Sequence, residues 1–237
     1  MTAGGAEAGS GARAGGGAGA AAFDRLAARP VVAILRAPDA DRFLAASEVL
    51  WEAGFRCLEF TLTTRGALEA ARRARAELPA ELLLAVGTVR TERHVREAVD
   101  AGADLLVSQV LRAPLVELAR SSGVPFVPGA LTPTEVVAAW ETGVPAVKVS
   151  PIGPVGGLEY LDQLRAPLPD IPLMPTGGVA VDEVGAYLAR GAAAVGLSGP
   201  LLGDALLPGG DLGALRDRAR RAVAGAAEAA APTAARP

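Results

Sequence analysis

The chain has 237 residues, 51% of them hydrophobic, enough for one large domain or two small ones around a sizeable core. A formal charge of −3, a sequence pI of 5.4 and arginines scattered along the chain leave no basic tract for a nucleic-acid backbone. No apolar run approaches the roughly 18–20 residues of a membrane span, and the single cysteine, Cys57, excludes an internal disulfide and fits a reducing, cytoplasmic setting.

Residues 1–22 are mostly alanine and glycine and lack the basic start and leucine-rich stretch of a secretory signal, so a disordered tail is expected there. From Phe23 onward, short runs rich in β-branched residues alternate with segments of helical period. The predicted strands are 31–36, 56–62, 82–86, 104–107, 125–127, 146–149, 171–174 and 193–197. Between them, 39–53, 65–77, 92–101, 113–121 and 133–142 carry apolar residues three and four apart and are predicted helices; 211–226 is the last helix before a second tail at 229–237. Gly54, Gly102, Gly123, Gly143 and Gly191 each follow a helical segment and precede a strand, where a helix stop belongs. Eight strand-then-helix units imply parallel strands joined by right-handed crossovers. The expected fold is an α/β single domain over 23–228, a (β/α)8 TIM barrel; a doubly wound sheet fits the same periodicity.

Strand alternation then sorts the polar side chains. In strand two, Cys57, Glu59 and Thr61 share one face and Leu58, Phe60 and Leu62 the other, so Glu59 faces inward and Cys57 belongs to the core. In strand six, Lys148 shares a face with Ala146 and Ser150 while Val147 and Val149 take the helix layer. The chain holds 23 lysines and arginines, and Lys148 is its one lysine. A primary amine in a low-dielectric interior favours its neutral form, the form that condenses with a ketone. Lys148 is therefore a candidate nucleophile and Glu59 a candidate proton carrier, the alternative being a structural ion pair between them. Gly87-Thr88 ends strand three, Thr176-Gly177-Gly178 ends strand seven and Ser198-Gly199 ends strand eight; the last two lie where barrels commonly bind phosphate, or their glycines simply make turns. His94 has no second histidine, which argues against a metal site or a Ser-His-Asp triad and leaves it as a surface residue.

Taken in order, these segments resemble the family of 2-dehydro-3-deoxy-phosphogluconate (KDPG) and 4-hydroxy-2-oxoglutarate (KHG) aldolases, class I enzymes of the TIM-barrel type. The resemblance is carried by Val31-Val32-Ala33-Ile34-Leu35-Arg36, Leu58-Glu59-Phe60-Thr61-Leu62-Thr63, Gly87-Thr88-Val89, Val127-Pro128-Gly129 followed by Thr132-Pro133-Thr134-Glu135, Val147-Lys148 with Pro151, and Pro175-Thr176-Gly177-Gly178-Val179. It implies that Lys148 is the Schiff-base lysine and Glu59 the acid/base carboxylate. It further implies that Thr88 and Thr176 hold the pyruvate carboxylate and neighbouring oxygens, and that Gly177, Gly178, Ser198 and Gly199 take the substrate phosphate. Some members carry an arginine where Thr63 stands; others have one at the end of strand one, which makes Arg36 the candidate for an anionic substrate group. Gly87 and Pro128 belong to the expected substrate-binding set. The resemblance also implies a homotrimer acting on a small 2-oxo acid with no metal or organic cofactor. This chain departs from the family at Gln109, where proline usually follows Ser108, at Val149 and Ser150, where large apolar residues are usual, and in the order Ser198-Gly199.

The expected reaction is reversible cleavage of a 2-oxo-3-deoxy sugar acid, or of 4-hydroxy-2-oxoglutarate, to pyruvate and glyceraldehyde 3-phosphate or glyoxylate. The rival readings are a phosphate-binding isomerase or epimerase in which Glu59 abstracts a proton, and a catalytically silent barrel that binds a sugar acid or a protein partner.

Overall fold

Runs of valine, leucine and alanine too short for helices, set off by turns, form nine strand segments in the computed structural model, which describes residues 18–230. They are β1 (Val31–Leu35), β2 (Cys57–Thr61), β3 (Leu83–Gly87), β4 (Leu105–Val107), β5 (Phe126–Val127), β6 (Gly129–Ala130), β7 (Val147–Val149), β8 (Leu173–Pro175) and β9 (Val195–Leu197). The helices are α1 (Ala18–Ala28), α2 (Phe43–Glu52), α3 (Ala67–Glu77), α4 (Glu92–Asp100), α5 (Ala113–Ser121), α6 (Pro133–Trp140), α7 (Gly157–Arg165), α8 (Val184–Ala189), α9 (Gly199–Leu202) and α10 (Leu212–Ala230). The five glycines expected to stop helices all have positive φ, from 75° at Gly123 to 108° at Gly54.

All strand pairs are parallel, as expected of strands joined through helices. Six form one sheet in the order β5-β4-β3-β2-β1-β9 and three a second in the order β6-β7-β8. The fifth predicted strand, 125–127, is β5, and a further short strand, β6, follows it: β5 pairs with β4 and β6 with β7, with Pro128 between them. Proline has no N–H to contribute to a ladder, and Gly129 passes so close to Gln109 that a Cβ there would lie 2.4 Å from its carbonyl carbon and oxygen. An isolated bridge between Thr176 and Gly196 links the end of β8 to β9, and Ala193 N donates to Leu173 O at 2.8 Å.

The two-residue period puts alternate side chains on opposite faces, and the buried residues divide accordingly. Val32, Ile34, Cys57, Leu83, Ala85, Leu105, Val107, Val127, Met174 and Ala194 form one cluster on the inner face, with Leu26 of α1 packed into it. Val31, Leu35, Leu58, Phe60, Val86, Val147, Val149, Val195 and Leu197 join the larger cluster beneath the helices, where Phe43 and Phe60 meet edge to face at 4.9 Å.

Helix α1 corrects the expected boundary of the N-terminal tail. Residues 18–22 are helical, since alanine has the highest helix propensity and Leu26, fully buried, anchors the helix against the inner cluster. Residues 229–230 likewise extend α10. The rest of both expected tails, 1–17 and 231–237, lies outside the described residues. Helix α2 starts four residues later than 39 because Asp39 is held by a bridge to Arg65, whose N–H donates to Pro38 O at 3.3 Å.

Caps account for the sharp helix starts after β3 and β6. Thr91 accepts from His94 N at 3.1 Å, and Thr132 and Glu135 form a capping box worth about 1 kcal/mol. Backbone N–H bonds from Thr132 and Leu131 hold the Glu135 carboxyl below its usual range. Helices α8 and α10 cross at glycines, where a Cβ on Gly185 would sit 2.8 Å from Gly225 O.

Candidate active site

Lys148 lies in the middle of β7, paired with Gly129 on one side and Met174 on the other. Its backbone N–H donates to Pro128 O at 2.9 Å, so that carbonyl holds the lysine's backbone. Val147 and Val149 pack into the outer cluster, which turns Lys148 inward, where it is 3% exposed. Glu59, on β2 between Ile34 and Ala85 of the adjoining strands, has no exposed surface. The two side chains meet: Nζ lies 3.5 Å from Oε2, across 89 residues of sequence. The other carboxylate oxygen, Oε1, is buried with no partner among the described residues.

Gly87 explains how the carboxylate fits. A Cβ there would lie 1.9 Å from Glu59 Oε1 and 2.5 Å from Cδ. Glycine at 87 therefore makes room for Glu59. Thr88, next along, has φ +63°, a left-handed backbone that β-branched residues rarely adopt and that clusters at functional sites. Below Glu59 on the same face, burial and the nearby carboxylates push the Cys57 thiol up, leaving it protonated and unreactive.

The residues expected to bind anions lie on the loops that follow the strands. Arg36, just past β1, is exposed and forms no ion pair among the described residues. Thr63, also exposed, donates to Thr61 Oγ1 at 3.4 Å; Thr61 donates to Leu35 O at 3.1 Å and Thr64 accepts from Ala37 N at 3.2 Å. This threonine network ties the ends of β1 and β2 together under Arg36. Thr176 is buried, its hydroxyl donating to Met174 O at 3.2 Å and lying over Gly196, where a Cβ would come within 2.4 Å. Gly177 and Gly178 both have φ +83°, a backbone glycine adopts without penalty, and pack against Pro151 and Gly153. Ser198 stands at the N-cap of the short helix α9 without a side-chain cap hydrogen bond, and Gly199 at its start is exposed, with nothing within 4 Å of where a Cβ would be.

His94, half-buried on α4, accepts from Arg90 N at 3.3 Å through Nδ1. Among the described residues no group of three or more histidine, cysteine, aspartate or glutamate side chains is placed to hold a metal ion, and no helix is long and apolar enough to cross a membrane. Two of the residues at which the chain departs from the family adjoin Lys148's strand: Gln109 donates through Nε2 to Ser150 O at 3.2 Å, and Ser150 Oγ lies 3.3 Å from where a Gly177 Cβ would be. Alternation already put Ser150 on the face of Lys148. Gln109 stands out in the sequence as a departure from the family, but its partner does not, because the contact spans 41 residues.

Known proteins match this chain over most of its length. The family model described as "Aldolase: KDPG and KHG aldolase" matches residues 23–216. A 2-dehydro-3-deoxy-phosphogluconate aldolase of Dickeya dadantii is 33% identical over 202 residues, 85% of this chain and 94% of that protein. A KHG/KDPG aldolase of Escherichia coli is 31% identical over 198 residues, 83% of this chain and 92% of that protein. The crystal structure of the 2-keto-3-deoxy-6-phosphogluconate aldolase of Zymomonas mobilis with 3-phosphoglycerate superposes with a TM-score of 0.75 at 26% identity, covering 86% of this chain and 95% of the other. On this match the chain belongs to the KDPG and KHG aldolase family.

Proposed function

We propose that this protein is a class I aldolase that reversibly cleaves a 2-oxo-3-deoxy sugar acid of the 2-dehydro-3-deoxy-6-phosphogluconate type, or 4-hydroxy-2-oxoglutarate, to pyruvate and an aldehyde. The observation that carries the reading is the Lys148–Glu59 pair. At 3.5 Å it is long for a charge-assisted hydrogen bond, and Glu59 Oε1 has no partner among the described residues. A buried ion pair kept only for structure needs tight geometry and satisfied lone pairs, or it costs more than it returns. This one has slack, as a pair that must admit a substrate carbonyl and a water requires.

In the reaction, Lys148 Nζ attacks the C2 ketone, and loss of water leaves an iminium that draws electrons from the C3–C4 bond. Glu59, acting through water, removes the C4 hydroxyl proton as that bond breaks. The aldehyde departs, leaving an enamine of pyruvate. Glu59 returns a proton to C3, and water then hydrolyses the iminium to free pyruvate and the amine. No metal or organic cofactor enters any step. Thr88 and Thr176 orient the pyruvate carboxylate; Arg36, with Thr63 beside it, faces an anionic group at the mouth. The Gly177-Gly178 backbone and the Ser198-Gly199 turn receive the distal phosphate, and Gly87 and Pro128 complete the substrate-binding set.

The same reading takes residues 23–228 as one domain, a closed (β/α)8 barrel with its site at the strands' C-terminal ends. Supporting closure are the single residue between β5 and β6 and the bridge between Thr176 and Gly196. A homotrimer in the cytoplasm completes it, consistent with a free, buried Cys57.

The test is sodium borohydride reduction in the presence of pyruvate, followed by peptide mapping. Because Lys148 is the one lysine in the sequence, the expected adduct lies on a single side chain and is lost in Lys148→Met along with pyruvate release. Turnover by Lys148→Met, or turnover of the wild type with no adduct, refutes the mechanism and favours proton abstraction by Glu59 alone.

A further inference from the structure

The alternation that turns Lys148 inward turns Ser150 the same way, two residues nearer the mouth, or about 6.6 Å along a strand. The backbone keeps that alignment beyond the end of β7. Ser150 N donates to Ala130 O at 3.1 Å, Ile152 N to Thr176 O at 2.9 Å and Gly153 N to Gly177 O at 2.9 Å. The segment after Lys148 therefore runs alongside Thr176, Gly177 and Gly178. The approach is tight: a Cβ on Gly153 would lie 2.9 Å from Gly178 Cα, and one on Gly177 would lie 3.3 Å from Ser150 Oγ. From the other side, Gln109, whose backbone lies against Gly129, donates through its side chain to Ser150 O. Ser150 is thus held from both flanks, half-buried, while its hydroxyl has no hydrogen-bond partner among the described residues.

We infer that Ser150 is a specificity-determining residue whose hydroxyl hydrogen-bonds a hydroxyl on the aldehyde-derived half of the substrate, so that the enzyme favours a polyhydroxylated 2-oxo acid. The inference rests on the aldolase reading. With C2 bonded to Lys148 and the distal anion at Gly177-Gly178, the carbons between them pass Ser150. A serine hydroxyl both donates and accepts, so it can pair with a substrate hydroxyl in either sense. Gln109 is a positioning residue, acting through the Ser150 carbonyl.

The experiment runs the reaction in the addition direction with the full chain. Pyruvate is offered with glyceraldehyde 3-phosphate or with 3-phosphooxypropanal, which lacks only the 2-hydroxyl. The wild type favours the hydroxylated aldehyde, and Ser150→Ala lowers that kcat/KM ratio about tenfold, the effect of one hydrogen bond. General damage to the fold would lower both rates and leave the ratio in place. An unchanged ratio in Ser150→Ala, or a wild type indifferent to the hydroxyl, overturns the inference while leaving the aldolase reading intact. If the wild type consumes neither aldehyde and yields no borohydride adduct with pyruvate, the aldolase reading itself falls.

Discussion

Gly87→Ala is a one-methyl test of how Glu59 is positioned. The added Cβ would sit 1.9 Å from Glu59 Oε1, where ordinary contact begins near 3.4 Å, so the carboxylate must retreat by about 1.5 Å. Glu59 is fully buried between Ile34 and Ala85 of the neighbouring strands, so that movement meets packed neighbours. Overpacking of this kind costs about 1–3 kcal/mol, which for a domain of this size lowers Tm by roughly 2–12 °C. A misplacement near 1 Å in a catalytic group costs on the order of 100-fold in rate. The assay pairs thermal unfolding with kcat for pyruvate release and with hydrogen–deuterium exchange at the pyruvate methyl group, and borohydride trapping checks that Lys148 still condenses. Trapping persists while exchange and turnover fall together. Adding Glu59→Asp, one methylene shorter, restores part of the lost stability, because the two changes act on the same space. If Gly87→Ala keeps wild-type Tm and kcat, Glu59 does not lie over residue 87 in the working enzyme and the account of the site is wrong.

Glu59→Gln keeps the shape but cannot carry protons; methyl exchange falls about 100- to 10,000-fold while pyruvate is still trapped on Lys148, and exchange at the wild-type rate would remove Glu59 from the mechanism. Cys57 makes stability pH-dependent on the alkaline side. Its folded thiol is raised far above the unfolded value of 9.0, so above that pH the unfolded chain releases a proton that the folded chain retains, and stability falls as pH rises, by at most about 1.4 kcal/mol per pH unit. Urea unfolding at pH 8 to 10.5 then shows a steeper loss for the wild type than for Cys57→Ala; equal slopes contradict the buried, protonated thiol. Gly185→Ala, with its methyl 2.8 Å from Gly225 O, separates α8 from α10 at a cost of about 1–3 kcal/mol, read by denaturant midpoint. A variant as stable as the wild type means the helices do not cross there.

Much of this molecule is local and was therefore readable in one dimension. The period of two in Val147-Lys148-Val149 and Leu58-Glu59-Phe60 assigns each side chain to a face without knowledge of any neighbour, and both polar residues lie on the inner face. Helix stops at Gly54 and Gly102 are likewise properties of a single residue's backbone. What local pattern does not carry is which inward groups touch and how much space lies between them. The 3.5 Å approach of Lys148 to Glu59, the clearance that makes residue 87 glycine, the pairing of β6 with β7 beyond Pro128, and the reach of Gln109 to Ser150 all join segments distant in sequence. Backbone sterics and side-chain alternation act within a few residues, whereas excluded volume and through-space hydrogen bonds exist only after the chain has packed. The chain's face-by-face chemistry is thus written in its sequence, and its distances belong to the fold.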